Sequence, residues 1–159
     1  MMDNFILFDV AGTTYAVHSR DVLHVEMLEQ VTAVPNAPRF VDGVVFSRGR
    51  VVPALNLRAR FGFERAPFDL RTRLVVVQSR ARQVGLVVDS AREFLSLDSA
   101  AFQPAGSGLD EQSGRYLAGV ANISDRLILL LDLDAVLNTA DELPGSPGPS
   151  EVEPWHAAR

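Results

Sequence analysis

Short apolar runs alternate with small groups of turn residues along most of the chain. The runs are rich in Val, Leu, Ile and Phe, which favour β-strands, and the turns contain Gly, Ser, Asp or Arg. Strands this short and this closely spaced predict an all-β fold of small barrels rather than a parallel sheet. The predicted hairpins join residues 5–10 to 14–18, 43–47 to 50–57, 74–78 to 84–89, and 115–123 to 126–133.

The segments between these hairpins are less regular. Residues 21–28 (DVLHVEML) fit either a strand after a bend or a helical turn, and their periodicity does not decide. Pro35 and Pro38 predict an irregular stretch, or a short helix that opens at Pro38. We also expect a short strand at residues 94–97, a helical turn in LRARFG that ends at Gly62, and a last helix within DLDAVL.

The chain matches itself over part of its length. Residues 43–57 align without gaps on residues 119–133, which lie 76 positions further on, and share the leading Gly-Val, the Arg after the turn and the Leu-(Asn/Asp)-Leu ending. Upstream, residues 15–28 resemble residues 84–97. The pattern predicts one β-rich unit used twice, with a core between the two copies because each is too small to bury much apolar surface alone. Chance similarity between two hairpins is the alternative.

The composition excludes several classes of function. The chain has no cysteine and no lysine, which removes disulfides, thiolate zinc sites, cysteine nucleophiles, Schiff-base lysines and the lysine of a P-loop. A formal charge of −5 weighs against nucleic acid as the main partner. The N-terminus is unlike a signal peptide, and the longest apolar run, residues 127–131, is far too short to span a membrane. We therefore expect a soluble, cytoplasmic protein.

The C-terminal end differs in composition from the rest of the chain. Residues 139–159 are rich in Pro, Gly and acidic residues, which predicts a disordered tail. Trp155 in this stretch is either a short docking element or an incidental apolar residue, and we favour the second interpretation.

Few residues have the spacing of a catalytic or metal site. The three histidines, His18, His24 and His156, have no evident set of convergent partners, so we expect no metal, cofactor or catalytic residue. Asp132 and Asp134 could be a magnesium-binding or phosphoacceptor pair, but an aspartate that ends a strand and caps the following helix is the favoured interpretation. The basic turn SRGR lacks the glycine run of a P-loop and is interpreted as a hairpin turn.

Four motifs, in order, resemble the CheW domain of bacterial chemotaxis. They are VPNAP, FVDGVVFSRGRVVPALNLRARFG, VGLVVD and YLAGVANISDRLILLLDLDAVL, and the resemblance spans residues 4 to 138. The family pattern runs I-P-N-x-P, F-x-x-G-V-x-N-L-R-G-x-V-I-P-V-x-D-L-R, G-x-x-V-D and G-x-x-L-L-D-L. The resemblance implies a single all-β domain over residues 4–138, made of two intertwined five-stranded SH3-like barrels around a shared core.

The same resemblance implies a non-catalytic adaptor that couples chemoreceptors to a CheA-type histidine kinase. The kinase regulatory domain would associate barrel against barrel, and the receptor's helical-hairpin tip would dock in an apolar groove between the barrels. Carried over by position, that groove includes Val22, Val25, Gly43 and Arg48. The resemblance assigns no kinase-contact residues. The free protein would be mostly monomeric and would reach membrane arrays only through its partners.

The chain departs from the family pattern at several positions. Phe46-Ser47 replaces Asn-Leu before the Arg-Gly turn, and His24 stands where an acidic residue is common. After Pro104, the segment at residues 105–108 is Ala-Gly-Ser-Gly, where charged and aromatic residues are frequent. These departures leave two alternatives open: a specialised paralogue that serves a pilus or gliding-motility pathway, and a sensor that holds a small molecule in the inter-barrel groove.

Overall fold

A computed structural model describes residues 1–104 and 114–138, apart from the side chain of Arg92. The expected tail at 139–159 and the segment 105–108 lie outside the described residues. The described part forms ten strands: β1 Met2–Val10, β2 Thr13–His18, β3 Val22–Met27, β4 Val41–Ser47, β5 Arg50–Asn56, β6 Arg73–Ser79, β7 Arg82–Val88, β8 Ser90–Asp98, β9 Leu117–Ile123 and β10 Arg126–Leu131. It also contains two short helices, α1 Leu57–Arg60 and α2 Leu133–Leu137.

The strands form two five-stranded sheets of the same order. Sheet A runs β8-β1-β2-β10-β9, and sheet B runs β3-β6-β7-β5-β4. Moving each strand number by five converts one order into the other, so β1–β5 and β6–β10 are two copies of one unit. Each sheet combines the first two strands of one copy with the last three strands of the other. The all-β prediction and its two five-stranded units are confirmed.

The internal repeat continues down to single residues. The strands β4 and β5 and the helix α1 begin at Val41, Arg50 and Leu57, and their counterparts begin 76 positions later. Each helix is capped in the same way, because Asn56 accepts a bond from the Ala59 N–H and Asp132 accepts one from the Ala135 N–H. The repeat is confirmed, and so is the prediction that an aspartate after the leucine run caps the last helix.

The segments that the sequence left undecided are now assigned. Within residues 21–28, Val22–Met27 form the strand β3, which follows the short 3-10 turn Ser19–Asp21. No helix opens at Pro38, and the chain there is irregular. The strand predicted at residues 94–97 extends over all of β8, because it pairs along the length of β1 from Met2↔Asp98 to Asp9↔Ser90.

The apolar side chains form three clusters. The largest lies between the sheets and contains residues of both, which confirms the predicted core between the two copies. Its buried members are Phe8, Val10, Tyr15, Val17, Phe40, Leu55, Leu57, Val75, Val77, Val84, Leu86, Val88, Leu131, Val136 and Leu137. Each sheet has its own cluster on the opposite face. The sheet B cluster contains Val45, Val52, Ala54, Leu74, Val76 and Val87, and the sheet A cluster contains Phe5, Leu7, Ala16, Ile128 and Leu130.

Candidate functional site

Three polar side chains join the two edge strands of sheet B. His24 and Glu26 on β3 pair with Val76 and Leu74, so they face the sheet B cluster. Ser47 at the end of β4 meets them there, with its Oγ 2.9 Å from His24 Nε2 and 2.6 Å from Glu26 Oε2. We call His24, Glu26 and Ser47 the polar seam. Because strands at opposite ends of the sheet meet through it, sheet B curls around its own cluster, as in a small barrel.

The proton arrangement in the polar seam differs from that of a catalytic triad. Ser47 donates its single hydroxyl proton to Glu26, and His24 Nε2 lies 2.7 Å from the same carboxylate oxygen. The Glu26 carboxylate is thus placed to accept hydrogen bonds both from the Ser47 hydroxyl and from an N–H at His24 Nε2. In a Ser-His-acid triad the acid binds the other ring nitrogen and Nε2 accepts the serine proton. The polar seam thus has no activated nucleophile.

The β4–β5 turn presents Arg48 to solvent. Ser47 pairs with Arg50, which leaves Arg48 and Gly49 as a two-residue hairpin turn. Both turn residues have positive φ, +48° and +81°, as type I′ hairpins require, and glycine adopts this conformation without strain. The exposed Arg48 follows directly after Ser47 of the polar seam, so the basic tip lies beside β3.

Val22 and Val25 lie on the other face of β3. Val22 pairs with Val77 and Val25 pairs with Val75, both buried in the cluster between the sheets. The two valines are half-buried and pack against the margin of that cluster. They therefore lie at the boundary between the sheets, where the sequence predicted a groove.

Gly43 makes a close approach within the chain itself. Its backbone has φ +148°, and a Cβ placed there would lie 2.0 Å from the carbonyl oxygen of Thr32. Thr32 forms a two-way backbone bridge with the next residue, Val44, with N–O distances of 2.9 and 2.8 Å. The glycine is thus needed to hold residue 32 against β4. Its part in receptor docking stays a prediction.

The structure places three of the four predicted groove residues around the meeting point of β3 and β4. Val22 and Val25 lie on β3 and Arg48 at the adjoining tip, whereas Gly43 is buried within β4. Sequence reasoning missed the polar seam. The spacing His24-x-Glu26 is the sequence signal for it, because residues two apart on a strand share a face. That signal is informative only if residues 21–28 form a strand, which their periodicity does not decide. Exposed apolar side chains on the same two edges and on β5 are Leu23, Met27, Phe46 and Val51.

Two of the family-like motifs meet as an ion pair. Arg58, near the end of the second motif, donates to both carboxylate oxygens of Asp89, the last residue of VGLVVD. Asp89 also accepts a bond from the Ala11 N–H at 2.8 Å. Burial acts to raise the pKa of Asp89, but the bonds from Arg58 and Ala11 outweigh it and hold that pKa below its usual value. The pair ties α1 to the end of β7 and to the β1–β2 turn.

A second arginine of the same segment is buried. Arg60 is 4% exposed, and its guanidinium lies 4.3 Å from the centre of the Phe40 ring. It donates to the carbonyl oxygens of Val136 at 2.8 Å and Ala135 at 3.1 Å. These carbonyls belong to α2, whose last turn has few partners of its own. Arg60 therefore joins the corresponding helices of the two repeat copies.

A small cavity lies between the sheets near His18. Its volume is about 300 Å³, and its lining residues are His18, Asp21, Ser79, Ala118, Leu130, Leu131, Asp132, Leu133 and Asp134. Burial lowers the pKa of His18, as does the nearby Arg20, so its imidazole is neutral near pH 7. The carboxylates of Asp21, Asp132 and Asp134 favour neutral or cationic occupants over anions. A small-molecule sensor that used this cavity would therefore bind such compounds. Within residues 1–104 and 114–138, no group of three or more His, Asp or Glu side chains could hold a metal ion.

None of the helices in the described part of the chain is long and apolar enough to cross a membrane.

Comparison with known proteins agrees with the topology and the motifs. The chemotaxis protein CheW of Klebsiella aerogenes is 29% identical over 137 residues, which cover 86% of this chain and 82% of that protein. That of Rhizobium meliloti is 31% identical over 131 residues, covering 82% and 84%. Protein FrzA of Myxococcus xanthus is 31% identical over 138 residues, covering 86% of each chain.

A solved structure shows the same fold. The scaffolding protein TtCheW from Thermoanaerobacter tengcongensis superposes with a TM-score of 0.79 at 24% identity, covering 88% of this chain and 90% of that one. A family model described as the CheW-like domain matches residues 4–141. The chain belongs to the CheW-like domain family.

Proposed function

We propose that this protein is a non-catalytic adaptor that couples chemoreceptors to a CheA-type histidine kinase. The observation that carries the proposal is the junction of β3 with the β4–β5 tip. There the polar seam holds the exposed Arg48 beside the strand that bears Val22 and Val25. A basic tip beside an apolar boundary suits a helical partner whose surface carries both apolar side chains and hydrogen-bond acceptors.

The chemistry of this junction matches a receptor's helical-hairpin tip. Half-buried valines at the boundary between the sheets can receive the apolar face of a helix. Arg48 can then form charge-assisted hydrogen bonds with carboxylates or carbonyl oxygens on the receptor. Gly43 contributes by holding the backbone of residue 32 close to β4, which shapes the same edge. We assign the receptor groove to Val22, Val25, Gly43 and Arg48.

The kinase partner follows from the duplicated architecture. Sheets A and B have the same strand order, and both expose an apolar residue at the same repeat position, Val51 on β5 and Leu127 on β10. A regulatory domain built from the same two barrels could therefore pack against either sheet in a pseudo-symmetric way. We propose this mode of association, a mostly monomeric free protein, and a cytoplasmic location with recruitment to arrays through the partners. We further propose that residues 4–138 form one domain.

The proposal of a non-catalytic protein is supported by the hydrogen-bond pattern of the polar seam. The three side chains resemble a hydrolytic set in composition, but the Ser47 proton is held by Glu26. The purified protein should therefore hydrolyse a generic ester substrate no faster than the Ser47→Ala variant does.

The direct test is assembly from purified parts. The protein should form a ternary complex with a receptor cytoplasmic-tip fragment and the kinase regulatory domain on size exclusion, and calorimetry should give a separate binding isotherm for each partner. The partners should be drawn from every CheA-type kinase and receptor of the source organism, so that a specialised motility pathway is also recognised. No binding to any of them would overturn the proposal.

A further inference from the structure

The polar seam has no counterpart in the other copy of the repeat. Ser47 corresponds to Ile123 and Glu26 to Leu95, and both of these side chains are half-buried against the sheet A cluster. Sheet A also joins its strands β8 and β10 through an ion pair between Glu93 and Arg126. Glu93 is the counterpart of His24, so sheet A keeps a polar contact at that position but has apolar side chains at the positions of Glu26 and Ser47. The buried hydroxyl of Ser47 is satisfied by two hydrogen bonds, so the polar seam replaces apolar packing at this position with directed contacts.

The bonds of the polar seam connect the residue that precedes Arg48 to β3. The strands β3 and β4 lie at opposite ends of the hydrogen-bonded order of sheet B, so they do not pair as neighbouring strands. The hydroxyl of Ser47 bonds to two groups on β3, and Arg48 is the next residue along the chain. A short chain segment anchored this close to its tip has little freedom to swing away from β3.

We propose that His24, Glu26 and Ser47 are positioning residues for receptor docking, which hold Arg48 at a fixed place relative to Val22 and Val25. The inference rests on the proposed function, because it concerns the same groove. None of the three needs to touch the receptor. His24 and Glu26 face the sheet B cluster, away from the face of β3 that carries the two valines.

The burial of the polar seam explains why it can fix a position. Ser47 is 4% exposed, and the His24 and Glu26 side chains are 13% and 28% exposed. Hydrogen bonds that are largely shielded from water are stronger than those at an open surface. The exposed tip is thereby tied to a site that solvent reaches only partly.

The family pattern adds a second reason to look at this position. The Leu that precedes Arg-Gly in that pattern is Ser47 here, and the residue is still buried. A leucine at this place would hold the tip through non-directional packing, whereas the serine fixes it through two directed bonds. The substitution thus changes how the tip is held without exposing it.

The test removes the hydroxyl and measures receptor binding and tip motion separately. In Ser47→Ala the contact between His24 and Glu26 remains, so β3 keeps its own polar pair and the tip alone is released. We expect the dissociation constant for a receptor-tip fragment to rise by about fivefold to twentyfold. The dissociation constant for the kinase regulatory domain should stay within about twofold of the wild-type value. Amide exchange of Arg48, Gly49 and Arg50 should become faster in the free protein.

Two control variants separate positioning from general stability. Ser47→Thr keeps the hydroxyl and should restore most of the receptor affinity, which a loss of packing alone would not allow. Ile123→Ala removes side-chain volume at the corresponding place in sheet A, so it should lower the melting temperature without a change in receptor affinity.

The outcomes distinguish this inference from the function on which it rests. If the wild-type protein binds no receptor tip, the proposed function and the docking role both fail, and the exchange of the tip amides still shows whether the polar seam holds the turn. If the wild-type protein binds and Ser47→Ala binds equally well, the positioning role fails while the proposed function stands.

Discussion

Arg58 and Asp89 form a two-point ion pair, with Arg58 Nε 2.9 Å from Oδ1 and Nη2 2.7 Å from Oδ2 of the carboxylate. The two residues come from different copies of the repeat, one at the start of α1 and the other directly after β7. The Ala11 N–H donates to the same carboxylate from the β1–β2 turn in sheet A. One carboxylate, directly after β7 of sheet B, therefore bonds both to α1 and to the β1–β2 turn of sheet A.

The ion pair predicts a dependence of stability on acid pH. Because the folded-state pKa of Asp89 lies below its usual value of 3.8, the folded protein binds this proton less tightly than the unfolded chain. The stabilisation should be fully present above about pH 5 and should be lost as the pH falls through the folded-state pKa. Asp89→Asn should lower the free energy of unfolding by about 1 kcal/mol at pH 7, since both side chains are partly exposed.

Urea titrations of wild type and Asp89→Asn at several pH values measure this effect. The difference between the two proteins should shrink from pH 6 to pH 3. A difference that stays constant or grows over that range would contradict the assigned role of the ion pair.

Burial of Arg60 predicts a large cost when its head group is removed. Arg60→Met keeps much of the side-chain volume but leaves the carbonyl oxygens of Ala135 and Val136 without these donors. We expect the free energy of unfolding to fall by about 2–4 kcal/mol, because unsatisfied buried acceptors are costly. Arg50→Met, at an exposed position of β5, is the matched control and should change stability by less than about 0.5 kcal/mol. Equal melting temperatures for the two variants would show that Arg60 does not hold α2.

The two repeat copies provide a graded test of the glycines in β4 and β9. A Cβ at Gly43 would lie 2.0 Å from the Thr32 carbonyl oxygen, whereas a Cβ at Gly119 would lie 3.0 Å from that of Gln103. Gly43 also has the left-handed φ of +148°. Gly43→Ala should therefore destabilise by about 3 kcal/mol and Gly119→Ala by about 1 kcal/mol.

Chemical denaturation of the two alanine variants checks this order. Gly43→Ala should also weaken receptor binding, since residue 32 moves with the edge of β4, and Gly119→Ala should not. If Gly119→Ala proves the more damaging variant, the assigned contact of Gly43 with Thr32 is wrong.

The sequence predicted those features that depend on local pattern and on the repeat. The hairpin around Arg48-Gly49, the match between residues 43–57 and 119–133, and the Asp132 cap all rest on neighbouring residues, and all are found in the structure. The exchange of strands between the two copies was not predictable in this way. Each sheet is assembled from strands far apart in the chain, and the sequence of a strand does not determine which other strand it pairs with.

The polar seam and Arg60 were missed for different physical reasons. Residues 21–28 fit two conformations by their periodicity, so the sequence does not show that His24 and Glu26 share a face. Arginine is seldom fully buried, so Arg60 was not a candidate core residue. Its partners are backbone carbonyls of α2, which lies 76 positions away in the repeat, and sequence pattern gives no sign of such a contact.

The central claim is that Arg48 is a receptor contact carried on a tip that the fold does not need. The most direct measurement is the dissociation constant for a receptor-tip fragment with wild type, Arg48→Glu and Ser124→Glu. Ser124 occupies the same position in the β9–β10 turn and also has a positive φ, so it controls for the effect of a glutamate in such a turn. Arg48→Glu should weaken binding by at least about tenfold, with a melting temperature equal to that of Ser124→Glu, which should bind as wild type does. Wild-type affinity in a folded Arg48→Glu variant would contradict the account.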